Sequence, residues 1–438
     1  MKLVLIFCKF ISFVLEKLGR GSTFPGKLAV KLSKKTLNYF RLPELVIAVT
    51  GSAGKGSTTS LIAKVMEDDN KKVVYNKSGS NMLYGIVSLL IQNCNLKGEI
   101  KADALILEVD ERNTKKVFDM VKPKYVIVTN ICRDQPPRHG HVDLVLEKIK
   151  EALNPSMNLI LNADDPYLRK LNLSDENKVT YYGINENKLS YKENMFDSLN
   201  IYYCPKCNSK LNYNYYHIDA LGDYACKNCD FKRPDVDVLA NEIDLDNNYM
   251  MINENKVKIG FNILYYAYNV LCAYTLCKEI GINENKICES ISSVESNKKL
   301  SNMYEYNGKK VYVLNNKNED NLTFNQSVLF TYNKKSERTI VIGWKEISRR
   351  YEYNDMSWMY DIDFELLNDV YTKSVICLGR DRYNLATRIK YAGFKEDQIK
   401  IYEDLNAAED EIKNCNTDIY AILNFDYVEP FNNIMKGR

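Results

Sequence analysis

Short apolar runs rich in β-branched residues alternate with longer helical patterns from Leu45 onward. The runs are apolar throughout, which is typical of strands that are covered on both faces. Helical segments between such strands predict a parallel sheet of the α/β class, with helices on both sides. Five strands are expected in the first series, at LVIAVT (45–50), KVVYN (72–76), ALILEVD (104–110), YVIVTN (125–130) and MNLILNADD (157–165).

A second series of the same kind begins near Leu300. Its strands are KKVYVL, TIVIGW, SVICLG and IYAILNF, and a helical NLATRIKYAG lies between the last two. Residues 185–258 separate the two series. They are polar and rich in Asn and Tyr, and we interpret them as an insertion, followed by a helical segment at 261–281.

The length of 438 residues is too great for one ordinary domain. We expect an N-terminal helical segment, a central α/β domain that carries a cysteine-rich insertion, and a smaller C-terminal α/β domain. The expected boundaries are 1–44, 45–298 with the insertion at about 200–235, and 299–438.

The first twenty residues are apolar enough to suggest a signal peptide. Lys9, Glu16 and Lys17 interrupt the run, and no small-x-small cleavage site follows. We therefore predict a helix that packs on its own protein, with contact to a membrane surface as the alternative. No later stretch reaches about 18 uninterrupted apolar residues. We expect the protein to be cytoplasmic. A position at the inner face of the membrane is the alternative to a free cytoplasmic protein.

The charge balance argues against one class of partner. The chain has 60 Lys and Arg against 57 Asp and Glu, a net charge of +3, so no general nucleic-acid binder is expected. Hydrophobic residues make up 45% of the chain, which excludes a wholly disordered protein.

A strand, a glycine loop and a helix follow one another in VIAVTGSAGKGSTT. Gly51 and Gly54 allow the backbone to wrap a phosphate, and Lys55 supplies a point charge to the β and γ oxygens. Ser57 or Thr58 is a candidate ligand for Mg²⁺ or a phosphate oxygen. The alternative is a tight turn beside a surface lysine. The order of strand, loop and helix favours nucleotide phosphate binding.

Two further strand ends carry acids. Glu108, with Asp110 and Glu111 near it, follows one strand, and Asp134 and His139 follow the next. Ligands of an open parallel sheet collect at the carboxyl ends of its strands, so these groups are candidates for a Mg²⁺ site. Taken singly, each acid is better explained as a helix cap or a solvated carboxylate, and it is their shared location that favours the metal site.

Four of the 12 cysteines form two C-x-x-C pairs, Cys204 with Cys207 and Cys226 with Cys229. This spacing is typical of a zinc ribbon, in which four thiolates fill the tetrahedral shell of a structural Zn²⁺. The alternative is a pair of disulfides, which a reducing compartment disfavours. The other eight cysteines are interpreted as small hydrophobic residues.

Several motifs together carry a family resemblance over nearly the whole chain. In order they are TGSAGKGSTT, LEVDE, TNICRDQPPRHG and LNADDP, and they resemble the central ATPase of the Mur ligase superfamily. The four-cysteine insertion, YACKNCDFKRP and DMSWMYDIDFE narrow the resemblance. They are similar to the MurT family, the synthetase subunits of lipid II isoglutaminyl synthase.

The resemblance implies an amide-forming reaction in two steps. ATP phosphorylates the α-carboxylate of D-glutamate in the lipid II stem peptide, and ammonia displaces phosphate to give D-isoglutamine. It also implies roles for individual residues. The phosphate loop is matched by Gly51, Gly54, Lys55 and Ser57, the magnesium environment by Ser78 and Glu108, the adenosine region by Asn162, Asp164 and Asn269, and a family loop histidine by His139.

The ammonia source is the remaining question. No cysteine has glycines two residues to both sides, and the three histidines lie in the Asp134 loop or the insertion, so the chain lacks a convincing glutaminase of its own. The family works with a separate amidotransferase subunit, GatD. The resemblance implies that Asp355 orients the partner's histidine, whereas the residues alone favour a helix cap.

Two other functions remain open. One is a stand-alone Mur-type or folylpolyglutamate-type ligase that adds an amino acid instead of ammonia. The other is a nucleotide-binding scaffold that holds the amidotransferase without catalysis.

Overall fold

The structure is a computed structural model, and it describes residues 1–18, 23–77, 79–134, 140–172, 176–197, 201–245, 247–260, 263–294, 301–316, 320–345 and 355–436. Within these ranges the helices include α1 (Lys2–Lys17), α2 (Phe24–Leu32), α3 (Lys55–Asp68), α4 (Leu83–Asn93), α5 (Thr114–Val121), α6 (Val142–Lys150), α7 (Pro166–Arg169), α8 (Leu264–Glu279), α9 (Glu284–Ser292), α10 (Asn321–Asn333), α11 (Arg382–Tyr391), α12 (Glu409–Asn414) and α13 (Phe425–Met435).

The first sheet has nine strands in the order β11-β10-β9-β6-β5-β4-β1-β3-β2. The strands are β1 (Leu45–Thr50), β2 (Val73–Tyr75), β3 (Ala104–Glu108), β4 (Tyr125–Val128), β5 (Asn158–Asn162), β6 (Val179–Ile184), β9 (Val238–Asp244), β10 (Tyr249–Ile252) and β11 (Asn255–Lys258). Neighbouring strands pair in parallel from β2 across the sheet to β9 in this order. Strands β10 and β11 complete the sheet with antiparallel pairs. The predicted α/β class with a parallel sheet is confirmed.

Both faces of this sheet are covered. On β1, Ile47 and Val49 face a core that α3 and α8 complete, whereas Val46 and Ala48 face the core formed with α4, α5 and α6. The chain order reverses at β1, because β3 lies on one side of it and β4 on the other. The loops after β1, β3 and β4 therefore meet at the switch point where such sheets bind ligands.

The second sheet has six strands in the order β12-β13-β17-β14-β15-β16, of which only the β12–β13 pair is antiparallel. They are β12 (Ser301–Tyr306), β13 (Lys309–Asn316), β14 (Arg338–Trp344), β15 (Thr372–Gly379), β16 (Ile399–Tyr402) and β17 (Asp418–Asn424). Trp344 packs edge-on against Phe324, and Trp358 packs at a tilt against both rings, in the core of this part.

Two expectations need correction. Residues 238–258 are not part of an insertion, because they form β9, β10 and β11 of the first sheet. The segment outside that sheet is shorter, and its two strands, β7 (Leu211–Ile218) and β8 (Leu221–Cys226), pair only with each other in a sheet of their own. In the second sheet, β16 was not expected. It comes between the last two predicted strands in the sequence and lies at the edge of the sheet. The boundary predicted at 298/299 lies outside the described residues.

The N-terminal helices lie on the first sheet's α4 side. Gly26 of α2 approaches α4 so closely that a Cβ on it would lie 2.1 Å from the carbonyl oxygen of Tyr84. None of the described helices has both the length and the apolar composition that a bilayer span requires.

Candidate functional site

The glycine loop, residues 51–54, connects β1 to α3 and needs its two glycines. Gly51 has φ +123° and Gly54 has φ +82°, in a region that residues with a Cβ rarely adopt. A Cβ on Gly51 would lie 2.4 Å from Thr129 Oγ1, and one on Gly54 would lie 2.3 Å from Asn269 Oδ1. The structure thus brings three predicted site residues, Gly51, Gly54 and Asn269, to one loop.

The segment after β4 holds this loop in place. Asn130 accepts from Ala53 N–H at 2.9 Å and donates its Nδ2 to the Ala53 carbonyl at 2.7 Å. Ser52 N–H donates to the Asn130 carbonyl at 2.9 Å, and Thr129 Oγ1 donates to the Ala53 carbonyl at 2.6 Å. The segment TNIC (129–132) belongs to one of the motifs that carry the family resemblance. Its structural role is to fix the loop that the glycines shape.

Lys55 lies at the first position of α3 and is buried. Its ammonium group contacts the carbonyl oxygens of Gly51 and Ser52 and forms an ion pair of 2.5 Å with Glu111 Oε1. Glu111 is also buried. The carboxylate that meets Lys55 is therefore Glu111, which was expected only near Glu108.

Glu108, at the end of β3, lies against the first turn of α3. A Cβ on Gly56 would be 3.2 Å from Glu108 Oε2, and Asn81 donates to Glu108 Oε1 at 2.9 Å. Asn76 bonds both the N–H and the carbonyl of Glu108 and so fixes its backbone. Glu108 and Glu111 thus present carboxylate oxygens to the start of α3.

The hydroxyls of the same turn differ from each other. Ser57 is half-buried, whereas Thr58 is fully buried and its Oγ1 has no hydrogen-bond partner among the described residues. Oxygen donors of this kind, beside the free amides of a helix N-terminus, fit Mg²⁺ and the phosphates of a nucleotide.

Asp164 follows β5 and has another environment. Its carboxylate is fully buried and accepts from Arg233 Nε at 2.7 Å, Tyr268 Oη at 2.8 Å and the N–H of Ile184 at 2.8 Å. The Asp164 carbonyl accepts from Gly222 N–H at 3.0 Å. The described contacts of Asp164 join β5, β6, α8 and the cysteine-rich segment, and its predicted contact with adenosine stays a prediction.

Asn162 and Asp165 line a small cavity of about 20 Å³ beside the glycine loop, with Asn130 and Tyr265. Asn162 accepts from Asp164 N–H at 3.0 Å. Asp165 caps α7 by accepting from Tyr167 and Leu168 N–H groups. Burial raises the pKa of Asp165 to about 7, although these two hydrogen bonds oppose the shift.

The four-cysteine hairpin, residues 201–233, brings the two C-x-x-C pairs together. Cys204 Sγ lies 3.5 Å from Cys229 Sγ, and Cys207 Sγ lies 3.3 Å from Cys226 Sγ. All four sulfur atoms lie within 4.8 Å of one another, and no disulfide joins them. Hydrogen bonds from Ser209 lower the pKa of Cys207 to about 6, whereas burial raises the pKa of Cys204. The cluster suits a four-thiolate metal site.

Asp355 begins the segment that leads to Trp358. It accepts from both the N–H and the Oγ of Ser357, at 2.9 and 2.5 Å, and these bonds lower its pKa. Arg133, which follows β4, donates to Ser357 Oγ and Asp361 Oδ2, both at 2.6 Å. Asp355 lies one residue before Met356, the N-cap of a short 3₁₀ turn (Ser357–Asp361), and it holds the first residue of that turn without being its cap. The Arg133 contacts also tie that turn to the segment that holds the glycine loop.

Two predicted site residues, Ser78 and His139, lie outside the described residues. A cavity of about 340 Å³ lies between α8 and α10 and is lined by Tyr191, Leu264 and Phe330 among others. Its lining includes none of the predicted site residues.

Two family descriptions match this chain. The Mur ligase middle domain matches residues 49–229, and the MurT ligase C-terminal domain matches residues 316–427. Among curated proteins, the chain is similar to the MurT subunit of lipid II isoglutaminyl synthase (glutamine-hydrolyzing) from Staphylococcus aureus strain N315. They share 29% identity over 94% of this chain and 92% of the relative. The subunit of the same name from Streptococcus pneumoniae strain ATCC BAA-255 / R6 is 26% identical over 97% and 95% of the two chains.

Solved structures share the fold. A pseudomurein peptide ligase type C from Methanothermus fervidus superposes with a TM-score of 0.70 at 20% identity, over 92% of this chain and 80% of that chain. MurF ligase from Thermotoga maritima, in complex with ADP, gives a TM-score of 0.61 at 15% identity, over 94% and 85%.

Proposed function

This chain belongs to the MurT family of Mur-ligase-like enzymes, and we propose that it uses ATP to amidate the D-glutamate α-carboxylate of the lipid II stem peptide. The product is D-isoglutamine. The observation that carries the proposal is the meeting of the glycine loop, Lys55, Glu108 and Glu111 at the switch point of the sheet. The names and functions of the relatives support the acceptor.

The proposed chemistry follows from the electronic character of a carboxylate. A carboxylate is a poor electrophile, so one of its oxygens first takes the γ-phosphoryl group of ATP, giving an acyl phosphate and ADP. Ammonia then attacks the acyl carbon, the C–O bond to phosphate breaks, and a proton leaves the nitrogen to give the amide. Lys55 and the amides of the first turn of α3 orient the phosphates and offset their charge.

The residues around α3 fit a magnesium ion. Glu108 and Glu111 would hold Mg²⁺, and Ser57 is a further oxygen donor on the same turn. When bound, Mg²⁺ neutralises charge on the phosphoryl oxygens. Glu111 also holds Lys55 inside the loop, so this carboxylate positions the lysine as well.

The ammonia is proposed to come from a GatD-like amidotransferase subunit. We place the contact with that partner on residues 299–438, and the nucleotide chemistry on residues 45–298. Asp355 is the proposed orienter of the partner's catalytic histidine. Its low pKa keeps it ionised, as this role requires.

The four-cysteine hairpin is proposed to hold a structural Zn²⁺, since four thiolates leave no open position for water.

The test uses the chain co-purified with its encoded amidotransferase. Phosphate release and lipid II amidation are followed with glutamine or ammonium as donor. Lys55→Ala is expected to lower both rates by about a thousandfold, since it removes a charge that acts on the transferring phosphoryl group. Lys64→Ala is the matched control, because Lys64 lies on the same helix and pairs with the half-exposed Asp68 at the surface. No turnover of the unmodified complex with either donor would refute the proposal, and an amino acid serving in place of ammonia would assign a peptide ligase.

The role of Asp355 is tested in the same assay. Asp355→Asn keeps an acceptor for Ser357 but removes the charge. We expect the glutamine-dependent rate to fall by about a hundredfold and the ammonium-dependent rate to stay the same. Equal losses with both donors would show that Asp355 serves only the fold of this chain.

A further inference from the structure

Helix α1 presents a continuous apolar side to solvent. Its exposed large side chains follow one another at helical spacing, and Leu3, Phe10 and Leu18 are 82%, 65% and 64% exposed. The complete set of exposed apolar residues on this helix and just beyond its end is Leu3, Ile6, Phe7, Phe10, Phe13, Val14 and Leu18. Monomeric proteins rarely expose so many large apolar side chains together unless a partner covers them.

The opposite side of α1 is fixed to the protein. Leu5 and Cys8 are buried in the core beneath it, and Ser12 accepts a hydrogen bond of 2.8 Å from Gln92 of α4. The ammonium group of Lys9 donates a hydrogen bond of 3.2 Å to the carbonyl oxygen of Gln92. The helix therefore packs on its own protein, as expected, but with one side only. The helix is apolar on both sides, and only one side is used internally.

The charge around this helix is strongly one-sided. Residues 1–43 contain nine Lys and Arg and a single acid, Glu16. Since the whole chain carries +3, the remaining residues carry a net charge of −5. On α2, the lysines at 27 and 31 are exposed beside Phe24 and Leu32, which are also exposed. The apolar side thus lies within the part of the chain that carries its excess positive charge.

We propose that α1 and α2 form a docking surface for an anionic lipid bilayer. The exposed side of α1 would lie in the plane of the interface, with its phenylalanines among the acyl chains and the surrounding lysines at the anionic headgroups. A second copy of the chain is a poorer occupant, because two such cationic segments repel each other and a helix of 16 residues is short for a stable coiled coil. The surface does not depend on the proposed function.

The test is co-sedimentation of the full chain, in its complex with the amidotransferase, with vesicles. Phosphatidylglycerol/phosphatidylcholine vesicles are compared with phosphatidylcholine alone. Phe7→Glu with Phe10→Glu is expected to lower partitioning to the anionic vesicles by about tenfold or more. Leu144→Glu with Tyr203→Glu adds the same charge at side chains that are 60% and 59% exposed elsewhere, outside the proposed contact with the amidotransferase, and should leave partitioning unchanged. Raising NaCl to about 0.5 M should weaken binding by screening.

Three outcomes would overturn the proposal. They are no binding to anionic vesicles, equal binding of both double variants, and loss of a dimer or of the amidotransferase complex in the α1 variant. The last result would show that protein covers this side. Thermal unfolding of both variants without vesicles verifies that neither has lost its fold.

Discussion

The glycine loop and the four-cysteine hairpin are both shaped for a small ligand, but they are held in different ways. The loop is fixed by the protein itself, through buried bonds from Thr129 and Asn130. The hairpin rests on two short strands, and its sulfur atoms face one another with Cys207 exposed. Ionised thiols at this spacing repel unless a cation lies between them. One site is therefore pre-organised by the chain, and the other should require the proposed metal.

The largest expected effect comes from removing that metal. Chelation, or Cys207→Ser, should release zinc and lower the hydrogen-exchange protection of β7 and β8 by about a thousandfold. Protection of β1 should not change, since hydrogen bonds within the sheet hold that strand. Both are measured by hydrogen exchange and metal analysis.

Cys415→Ser is the matched control for the metal, because Cys415 is partly exposed and lies outside the cluster. Equal protection of β7 and β8 with and without metal would contradict the comparison. It would mean that the hairpin is held as the glycine loop is, by the protein alone.

The next effect tests the glycine loop. Gly54→Ala should lower the free energy of unfolding by about 3 kcal/mol, because it adds a clash with Asn269 to the strain of a positive φ. Gly281→Ala carries only the strain, at φ +88° with no atom within 4 Å of the added Cβ, and should cost about 1 kcal/mol. Urea denaturation measures both. Equal costs would mean that the loop moves freely to accept the side chain.

The smallest effect concerns pH. Burial raises the pKa of Asp165 from 3.8 to about 7, so its contribution to stability is present below about pH 4 and is lost as the pH rises towards 7. Asp165→Asn keeps the cap and should be more stable than the unmodified chain at pH 7, and this difference should disappear towards pH 4. Denaturation across this range measures it, and a constant difference would contradict the raised pKa. The stability of the four-cysteine hairpin should instead fall as the pH is lowered, because acid protonates the thiolates and would release the proposed metal.

Much of the fold was predictable because the strands around the glycine loop are apolar on both faces. The runs at 45–50, 104–110 and 125–130 contain β1, β3 and β4, and the four cysteines meet as their spacing suggested. Strands β9 to β11 were missed because the strands towards this edge of the sheet carry polar residues among the apolar ones, which resembles a polar insertion. The short strand β16 was missed for the related reason that it is a half-exposed edge strand.

The candidate site was less predictable than the fold. Spacing placed Glu108, Asp110 and Glu111 at one strand end, but which carboxylate turns to Lys55 depends on the 3₁₀ turn that follows β3. The ion-pair partner of Asp164 was equally hard to predict from the sequence. Arg233 is 69 residues further along the chain, and only the hairpin's position brings it to β5.

That long-range ion pair bears on the order in which the chain is assembled at the ribosome. The four cysteines are complete once Cys229 has been synthesised, so the hairpin can take up metal from local sequence alone. The Asp164 carboxylate must wait for Tyr268, which is 104 residues later, before its last partner exists. Contacts this distant in sequence form late. A nascent chain would therefore carry a finished metal module before the sheet beside it has closed.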